Sequence, residues 1–347
     1  MGPEVTRAAV LVLEAAAEVF DLRIRPEEHP VGWAAVQADE DPLPASTLAA
    51  CTDADAVFLG AVGHPDAVGV SPEKRPEAGL LRLRTELRCY TNLRPLRLPD
   101  TLIGVSPLRE ERIRGVDLVI VRELAGGLYY GTPRGVETRE GERSAHNTLR
   151  YGASEIRRVA RAAFRLAEGR GRRLLSVDKS NVLETSRLWR EVVEEVALEH
   201  PTVALEHMLI DRAALELVLR PNTFDVILTE NLFGDILSDE VAGVAGSLGL
   251  LPSASLGDGT PLFEPVHGSA PALAGEGTAN PVGAILSMAM LLEHALDAPE
   301  AARAVGRAVE ECFASGLRTA DLAGPGEKVV GTDAFAKAAV QIIATEG

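Results

Sequence analysis

Asp235 and Asp239 stand one helical turn apart in the run Phe224-Asp-Val-Ile-Leu-Thr-Glu-Asn-Leu-Phe-Gly-Asp-Ile-Leu-Ser-Asp239. Val226-Ile-Leu228 reads as a buried strand ending in Thr229-Glu230-Asn231, and Gly234-Asp235 as a helix start. Residues four apart share one helix face, so both carboxylates point the same way. Like charges at that spacing repel unless a cation sits between them. Oxygen-only donors suit a hard cation such as Mg2+ or Mn2+. The plainer alternative is an acidic first turn that complements the helix dipole.

Three arginines sit where a surface role explains little. Arg122 follows the strand-like run Val116-Asp-Leu-Val-Ile-Val121, Arg94 lies in Asn92-Leu-Arg-Pro95, and Arg84 follows Gly79-Leu-Leu-Arg-Leu83. Ligands of open α/β sheets bind outside the carboxyl ends of strands. Arginine grips a carboxylate through two parallel hydrogen bonds. Three such residues beside a cation site point to a substrate with more than one carboxylate. Arg82 and Arg97 read instead as ordinary surface charges. A further apolar run, Leu174-Leu-Ser-Val-Asp178, delivers Lys179, a residue type able to act as a general base. Tyr129, after the Gly126-Gly127 pair, has the chemistry of a proton donor. Each alone has a bland alternative: a solvated lysine and a packing tyrosine.

Together these segments resemble the decarboxylating β-hydroxyacid dehydrogenases, the isocitrate/isopropylmalate dehydrogenase family. The resemblance runs through Gly2-Pro-Glu-Val5, Arg75-Pro-Glu-Ala-Gly-Leu-Leu-Arg-Leu-Arg84, Asn92-Leu-Arg-Pro95 and Val121-Arg-Glu-Leu124. It continues through Asp178-Lys179, Thr229 to Asp239, Gly246-Ser-Leu-Gly-Leu-Leu-Pro-Ser-Ala-Ser255 and Phe263-Glu-Pro-Val-His-Gly-Ser-Ala-Pro271. It covers nearly the whole chain in long, irregular motifs.

The resemblance implies roles residue by residue. Arg84, Arg94 and Arg122 hold the malate carboxylates, Lys179 is the base for the substrate hydroxyl, and Tyr129 protonates the product enol. Asp235, Asp239 and Asp211 ligate the metal, Asp211 also lying against the substrate. Family members form homodimers in which the lysine and the third aspartate reach the site from the neighbouring subunit. The implied reaction is oxidative decarboxylation of (2R,3S)-3-isopropylmalate to 2-oxoisocaproate with reduction of NAD+, a step of leucine biosynthesis. Glu77, Leu80 and Leu81 match the positions that face the substrate's third arm. Two leucines there suit an isopropyl group and would leave a third carboxylate desolvated. Homoisocitrate, isocitrate and tartrate are the alternative substrates, and a non-catalytic relative is the alternative class.

The cofactor site has no Gly-x-Gly-x-x-Gly after a strand and no phosphate-binding P-loop. The family implies a non-Rossmann loop matching Glu264, His267, Gly268, Ser269, Ala270, Pro271 and Ala272, with Asn280 beyond it. NAD-dependent members carry an aspartate where Ala272 stands. NADP-dependent members carry Lys-Tyr where this chain has Ala272-Leu273. NAD is the expectation, with weaker discrimination. Family members also have an apolar strand and a Gly-Asp-Gly turn ahead of Gly-Pro-Glu-Val. Here Met1 directly precedes Gly2, which implies a start lying further upstream or a shortened protein.

The rest of the chain is consistent with an enzyme. Its 347 residues allow two domains with ample core. Asp and Glu number 51 against 35 Lys and Arg, a net charge of -16, which argues against nucleic-acid or anionic-membrane partners. Cys51, Cys89 and Cys312 have no metal-like spacing and read as reduced residues of a cytoplasmic protein. The apolar stretch from Ala284 to Leu292 is too short to span a membrane and reads as a buried helix opened by Pro281. Strand and helix patterns alternate, as in Val203-Ala-Leu205 followed by Arg212 to Leu219, which argues α/β. Ser154 reads as a helix N-cap, and the segments Thr138 to Arg143 and Leu322 to Lys328 as exposed loops. The family fold implied is a two-domain α/β structure with a large twisted mixed sheet flanked by helices. Residues 1–89 and 246–347 would form the first domain, and 90–245 the second, which carries the dimer interface.

Overall fold

The computed structural model describes residues 1–346. The helices are α1 (Gly2–Val19), α2 (Trp33–Asp39), α3 (Ala45–Asp53), α4 (Pro76–Glu86), α5 (Glu110–Ile113), α6 (Ala153–Glu168), α7 (Glu184–Ala197), α8 (Ile210–Leu219), α9 (Asn231–Ala245), α10 (Val282–His294), α11 (Pro299–Ala314) and α12 (Thr332–Ile343). The strands are β1 (Val57–Phe58), β2 (Cys89–Arg97), β3 (Asp117–Glu123), β4 (Gly135–Arg139), β5 (Glu142–His146), β6 (Arg173–Asp178), β7 (Ala204–Leu209), β8 (Val226–Thr229), β9 (Pro252–Gly257) and β10 (Leu262–Pro265). The protein is therefore α/β, with a mixed sheet flanked by helices.

The chain divides into two compact units. The first takes in Met1–Cys89, Leu98–Glu110 and the chain from Ala242 onward. Here β1 runs parallel to β10, and β10 antiparallel to β9 with Phe263 opposite Ala254. Helix α10 lies on β9 and β10 and against α1 and α11. Its buried face includes Val282, Ile285, Met288, Ala289 and Leu292, matching the buried helix expected there. Helix α1 buries Val5, Ala8, Ala9, Val12, Leu13 and Ala16, a three-four spacing whose small residues let α10 and α12 pack closely.

The second unit takes in Tyr90–Arg97 and Glu111–Val241. Its strands follow the order β2-β3-β8-β6-β7. Strand β2 is antiparallel to β3, while β3, β8, β6 and β7 run parallel. Val119-Ile-Val121 and Val226-Ile-Leu228 are buried throughout, as strands covered on both faces must be. The register sets Arg122 beside both Thr229 and Asn92, and Val177 beside Thr229. The carboxyl ends of β3, β8 and β6 therefore finish level, and Arg122, Asn231 and Lys179 all leave the sheet at that edge.

Several local expectations need correction. Helix α9 begins at Asn231, not at Gly234, because Gly234 N already bonds Glu230 O at 2.9 Å. Helix α6 is capped by Gly152, not Ser154: the Glu155 side chain accepts from Gly152 N at 2.6 Å. Thr138 to Arg143 is not a loop but the heart of a hairpin, β4 paired with β5, with Thr138 opposite Arg143. Residues 98–110 belong with the first unit. There Ser106 Oγ donates to Val244 O at 2.6 Å and Arg318 Nη2 to Thr101 O at 2.8 Å. Cys89 and Cys312 are buried, Cys51 is half-buried, and all three are free thiols. No described helix is long and apolar enough to cross a membrane.

Candidate active site

In the second unit the arginines and the first aspartate of α9 form one cluster. Asp235 Oδ1 accepts from Arg122 Nη1 at 2.5 Å, and its Oδ2 accepts from the Tyr129 hydroxyl at 2.7 Å. Arg94 Nη1 lies 3.6 Å from the same carboxylate. Each guanidinium is held from behind. Asn231 Oδ1 accepts from Arg122 Nε at 3.1 Å and from Nη2 at 2.8 Å. Asn92 Oδ1 accepts from Arg94 Nε at 2.8 Å, and Ser238 Oγ accepts from Arg94 Nη1 at 2.6 Å. Arg122 is only 2% exposed and Arg94 7%. Two buried guanidiniums held in fixed directions by Asn231, Asn92 and Ser238 are suited to gripping a carboxylate through paired N–H donors. Burial, followed by the hydrogen bond to Asp235, pushes the Tyr129 phenol up to about 12, so it keeps its proton.

The glycines of these motifs have steric reasons. A Cβ on Gly234 would lie 2.6 Å from Arg122 Cγ and 2.8 Å from its Cβ, atoms near the backbone with no room to yield. Gly126 is pressed against the Tyr151 ring, 2.7 Å from a notional Cβ to Cε1. Gly127 adopts a φ of +78° under the Tyr151 hydroxyl.

Asp239 projects from the same face of α9 as Asp235 and has no hydrogen bond or ion pair among the described residues. The Asp239 side chain is exposed, yet partial desolvation raises its pKa against the pull of Arg94 and Arg122, and Asp235 raises it further. A carboxylate left in this condition beside a second one is matched by a hard cation, and the all-oxygen donor set fits Mg2+ or Mn2+. Two side chains fall short of the six ligands such ions take.

Lys179 and Asp211 form a separate pair. Lys179 Nζ donates to Asp211 Oδ1 at 2.6 Å, which holds the Asp211 carboxyl below its usual range. Lys179 sits just past the end of β6, its amide bonded to Ser186 Oγ at 3.1 Å, and Asp211 lies in the first turn of α8. Among the described residues neither side chain bonds Asp235 or Asp239, and no three His, Cys, Asp or Glu side chains gather to hold a metal.

The remaining candidates lie in the first unit. Arg84, on α4, pairs with Glu264 of β10, and both are buried. Glu77 is on α4 too, and a Cβ at Gly63 would sit 3.3 Å from Glu77 Oε1 and 3.6 Å from Ser269 Oγ. The unit thus draws α4 and the 264–272 loop together. Leu80 and Leu81 are half-buried, while the core side of α4 is Gly79 and Leu83. Neither is ordinary helix core. His267 is buried, its Nδ1 3.0 Å from Gly268 O and its Nε2 without a hydrogen-bond partner. Gly268 and Ala272 are exposed, Ala270 is left-handed with φ +35°, and Pro271 opens a short 3-10 turn. Asn280 donates to Asp321 Oδ2 at 3.0 Å and accepts from Val282 N at 3.0 Å. An orphaned buried ring nitrogen beside an exposed, glycine-hinged loop fits a nucleotide that brings its own hydrogen-bonding groups.

Asn92, Asn231 and Ser238, which grip the two guanidiniums, have no sequence pattern of their own that marks this role. All three lie inside the motifs quoted above. The only local signal was an amide or hydroxyl in an otherwise apolar strand end or helix face.

The family described as isocitrate/isopropylmalate dehydrogenase matches residues 1–339. A 3-isopropylmalate dehydrogenase of Gloeobacter violaceus is 52% identical over 96% of this chain and 93% of its own. One of Bacillus subtilis is 54% identical over 93% of this chain and 89% of its own. The crystal structure of isocitrate dehydrogenase from Methylococcus capsulatus superposes with a TM-score of 0.88 at 34% identity, covering 99% of this chain and 96% of that one.

Proposed function

The chain belongs to the isocitrate/isopropylmalate dehydrogenase family, and we propose that it oxidises and decarboxylates 3-isopropylmalate in leucine biosynthesis, using NAD+ and Mg2+ or Mn2+. The observation that carries the choice of substrate is the pair Leu80 and Leu81, apolar and half-buried on the helix that also presents Arg84. An isopropyl arm gains by covering them, whereas the third carboxylate of isocitrate would lose its hydration there. The relatives at 52% and 54% identity are named for isopropylmalate and the structural neighbour at 34% for isocitrate, an ordering that supports the same choice.

The chemistry follows from the side chains. Arg94 and Arg122, with Arg84 in the same role, hold the substrate carboxylates by charge-assisted hydrogen bonds. Asp235 and Asp239 would help hold a divalent cation, which would supply Lewis acidity, and a nicotinamide would supply the hydride acceptor when bound. Lys179 takes the hydroxyl proton as the C2 hydrogen leaves as hydride. Loss of CO2 leaves an enolate, and Tyr129 delivers a proton to its carbon. Lys179 and Asp211 act on the site of a second copy of the chain in a homodimer, with Asp211 as the third carboxylate ligand. The proposed compartment is the cytoplasm.

The test is NAD+ reduction with Mn2+ and 3-isopropylmalate, run against isocitrate. Turnover of isopropylmalate alone supports the assignment, and preference for isocitrate overturns it. Cofactor choice gives a second expectation. Ala272 lacks the carboxylate that would meet the adenosine ribose hydroxyls, so Ala272→Asp should lower the KM for NAD+ roughly five- to tenfold, the scale of one ordinary net hydrogen bond of about 1 kcal/mol. An unchanged KM would count against the placement of this loop.

A further inference from the structure

Behind Arg122 lies a buried tyrosine that the reaction does not use. Tyr151 is 6% exposed, and its ring packs edge-on to Trp189 with centroids 5.7 Å apart. Its hydroxyl donates to Glu230 Oε2 at 3.1 Å and accepts from Asn231 N at 3.0 Å. Asn231 is the first residue of α9, so Tyr151 caps an otherwise unpartnered N–H of that helix. Glu230 completes the cap by accepting from Phe233 N at 3.2 Å. Burial, then the charges of Glu123 and Glu230, raise the Tyr151 phenol far above its ordinary value, so its proton stays on the bond to Glu230.

The cap bears directly on the site. The residue whose amide Tyr151 holds is the one whose Oδ1 grips Arg122 through both Nε and Nη2. Asn231 Nδ2 is meanwhile fixed to Gly126 O at 3.0 Å, and Gly126 itself lies against the Tyr151 ring. Tyr151 thus bears on Asn231 twice over: its hydroxyl holds the backbone N–H, and its ring lies against Gly126, whose carbonyl holds Nδ2. Arg122 is in turn bonded to Asp235 at 2.5 Å.

We propose that Tyr151 is a positioning residue: through Asn231 it sets the direction of the Arg122 guanidinium, and so the grip on the substrate carboxylate. The proposal rests on the activity given above. Arg122 holds the carboxylate before and during the reaction, so a misdirected guanidinium weakens ground state and transition state alike. That raises KM more than it lowers kcat.

The test compares Tyr151→Phe with Trp189→Phe in the full-length protein. Trp189→Phe removes the indole bond to Ser176 Oγ at 3.2 Å and loosens the same core, but leaves the Tyr151 hydroxyl in place. Tyr151→Phe should raise the KM for 3-isopropylmalate about tenfold, the scale of one lost buried hydrogen bond, with KM for NAD+ within about twofold. Trp189→Phe should lower Tm with both KM values unchanged. A Tm loss in Tyr151→Phe without a shift in isopropylmalate KM overturns the positioning role. Absence of isopropylmalate turnover in the unsubstituted protein sinks the activity instead. The positioning role is then read from a crystal structure of Tyr151→Phe: Arg122 leaving Asn231 Oδ1 supports it, and an unmoved guanidinium overturns it.

Discussion

Lys179→Ala and Asp235→Asn, each nearly inactive alone, should regain about a quarter of the unsubstituted turnover when unfolded together and reassembled, as random pairing in a two-fold dimer dictates. Removing the proposed base should cost Lys179→Ala about 10²–10⁴-fold in kcat. Asp235→Asn loses a proposed cation ligand and the partner of both Arg122 and Tyr129, so its loss should be at least as large. Random pairing makes half of the dimers mixed. In a mixed dimer one site combines an intact Asp235 from the first copy with an intact Lys179 from the second. The other site carries both defects.

The arithmetic depends on which copy supplies the lysine. If Lys179 served the Asp235 of its own chain, every site in every mixed dimer would keep one defect, and reassembly would restore nothing. The geometry favours supply from the second copy. Lys179 is engaged with Asp211 at 2.6 Å, and among the described residues neither bonds Asp235 or Asp239. The two α9 carboxylates also fall short of a full ligand set on their own. A mixture with no more activity than its components would show that each chain completes its own site.

The order in which these features became legible has physical causes. Asp235 and Asp239 were readable because helical spacing alone places them on one face, and Arg122 and Lys179 because continuous apolar strands announce their own ends. Helix α9 starts three residues before Gly234, the start that the sequence suggests. Glycine suggested a boundary, but Gly234 is inside the helix for the sake of Arg122, not to begin it. The cap of α6 is silent in the sequence because Gly152 has no side chain to signal it; Glu155 reaches back instead. The hairpin of β4 and β5 read as loop because its residues are almost all exposed and polar, with no buried face to impose alternation. Tyr151 is eighty residues from the Asn231 amide it holds. Nothing local marks such a contact, because it follows from the β3-β8-β6 register and from the packing of α6 and α7.

Arg122→Lys tests the cluster itself. The substitution keeps the positive charge and removes the fork. Arg122 makes two bonds to Asn231 Oδ1 and one to Asp235 Oδ1 from three different nitrogens, in a position only 2% exposed. A lysine ammonium is a single point that cannot meet both acceptors in the same geometry and also present a pair of donors to a substrate carboxylate. The expected loss in kcat/KM for 3-isopropylmalate is about 2–3 kcal/mol, roughly a hundredfold, as for a buried charge-assisted pair broken on one side. Arg82→Lys is the matched control. Arg82 is 43% exposed and pairs with Asp41 at 3.1 Å on the surface, where an ion pair contributes little, so activity should hold. If charge alone held the substrate, both variants would stay within about threefold of the unsubstituted protein, because long-range attraction does not distinguish a fork from a point. A hundredfold separation between the two would assign the binding to the planar, preset direction of the guanidinium, and hence to the Asn231 contact that fixes it.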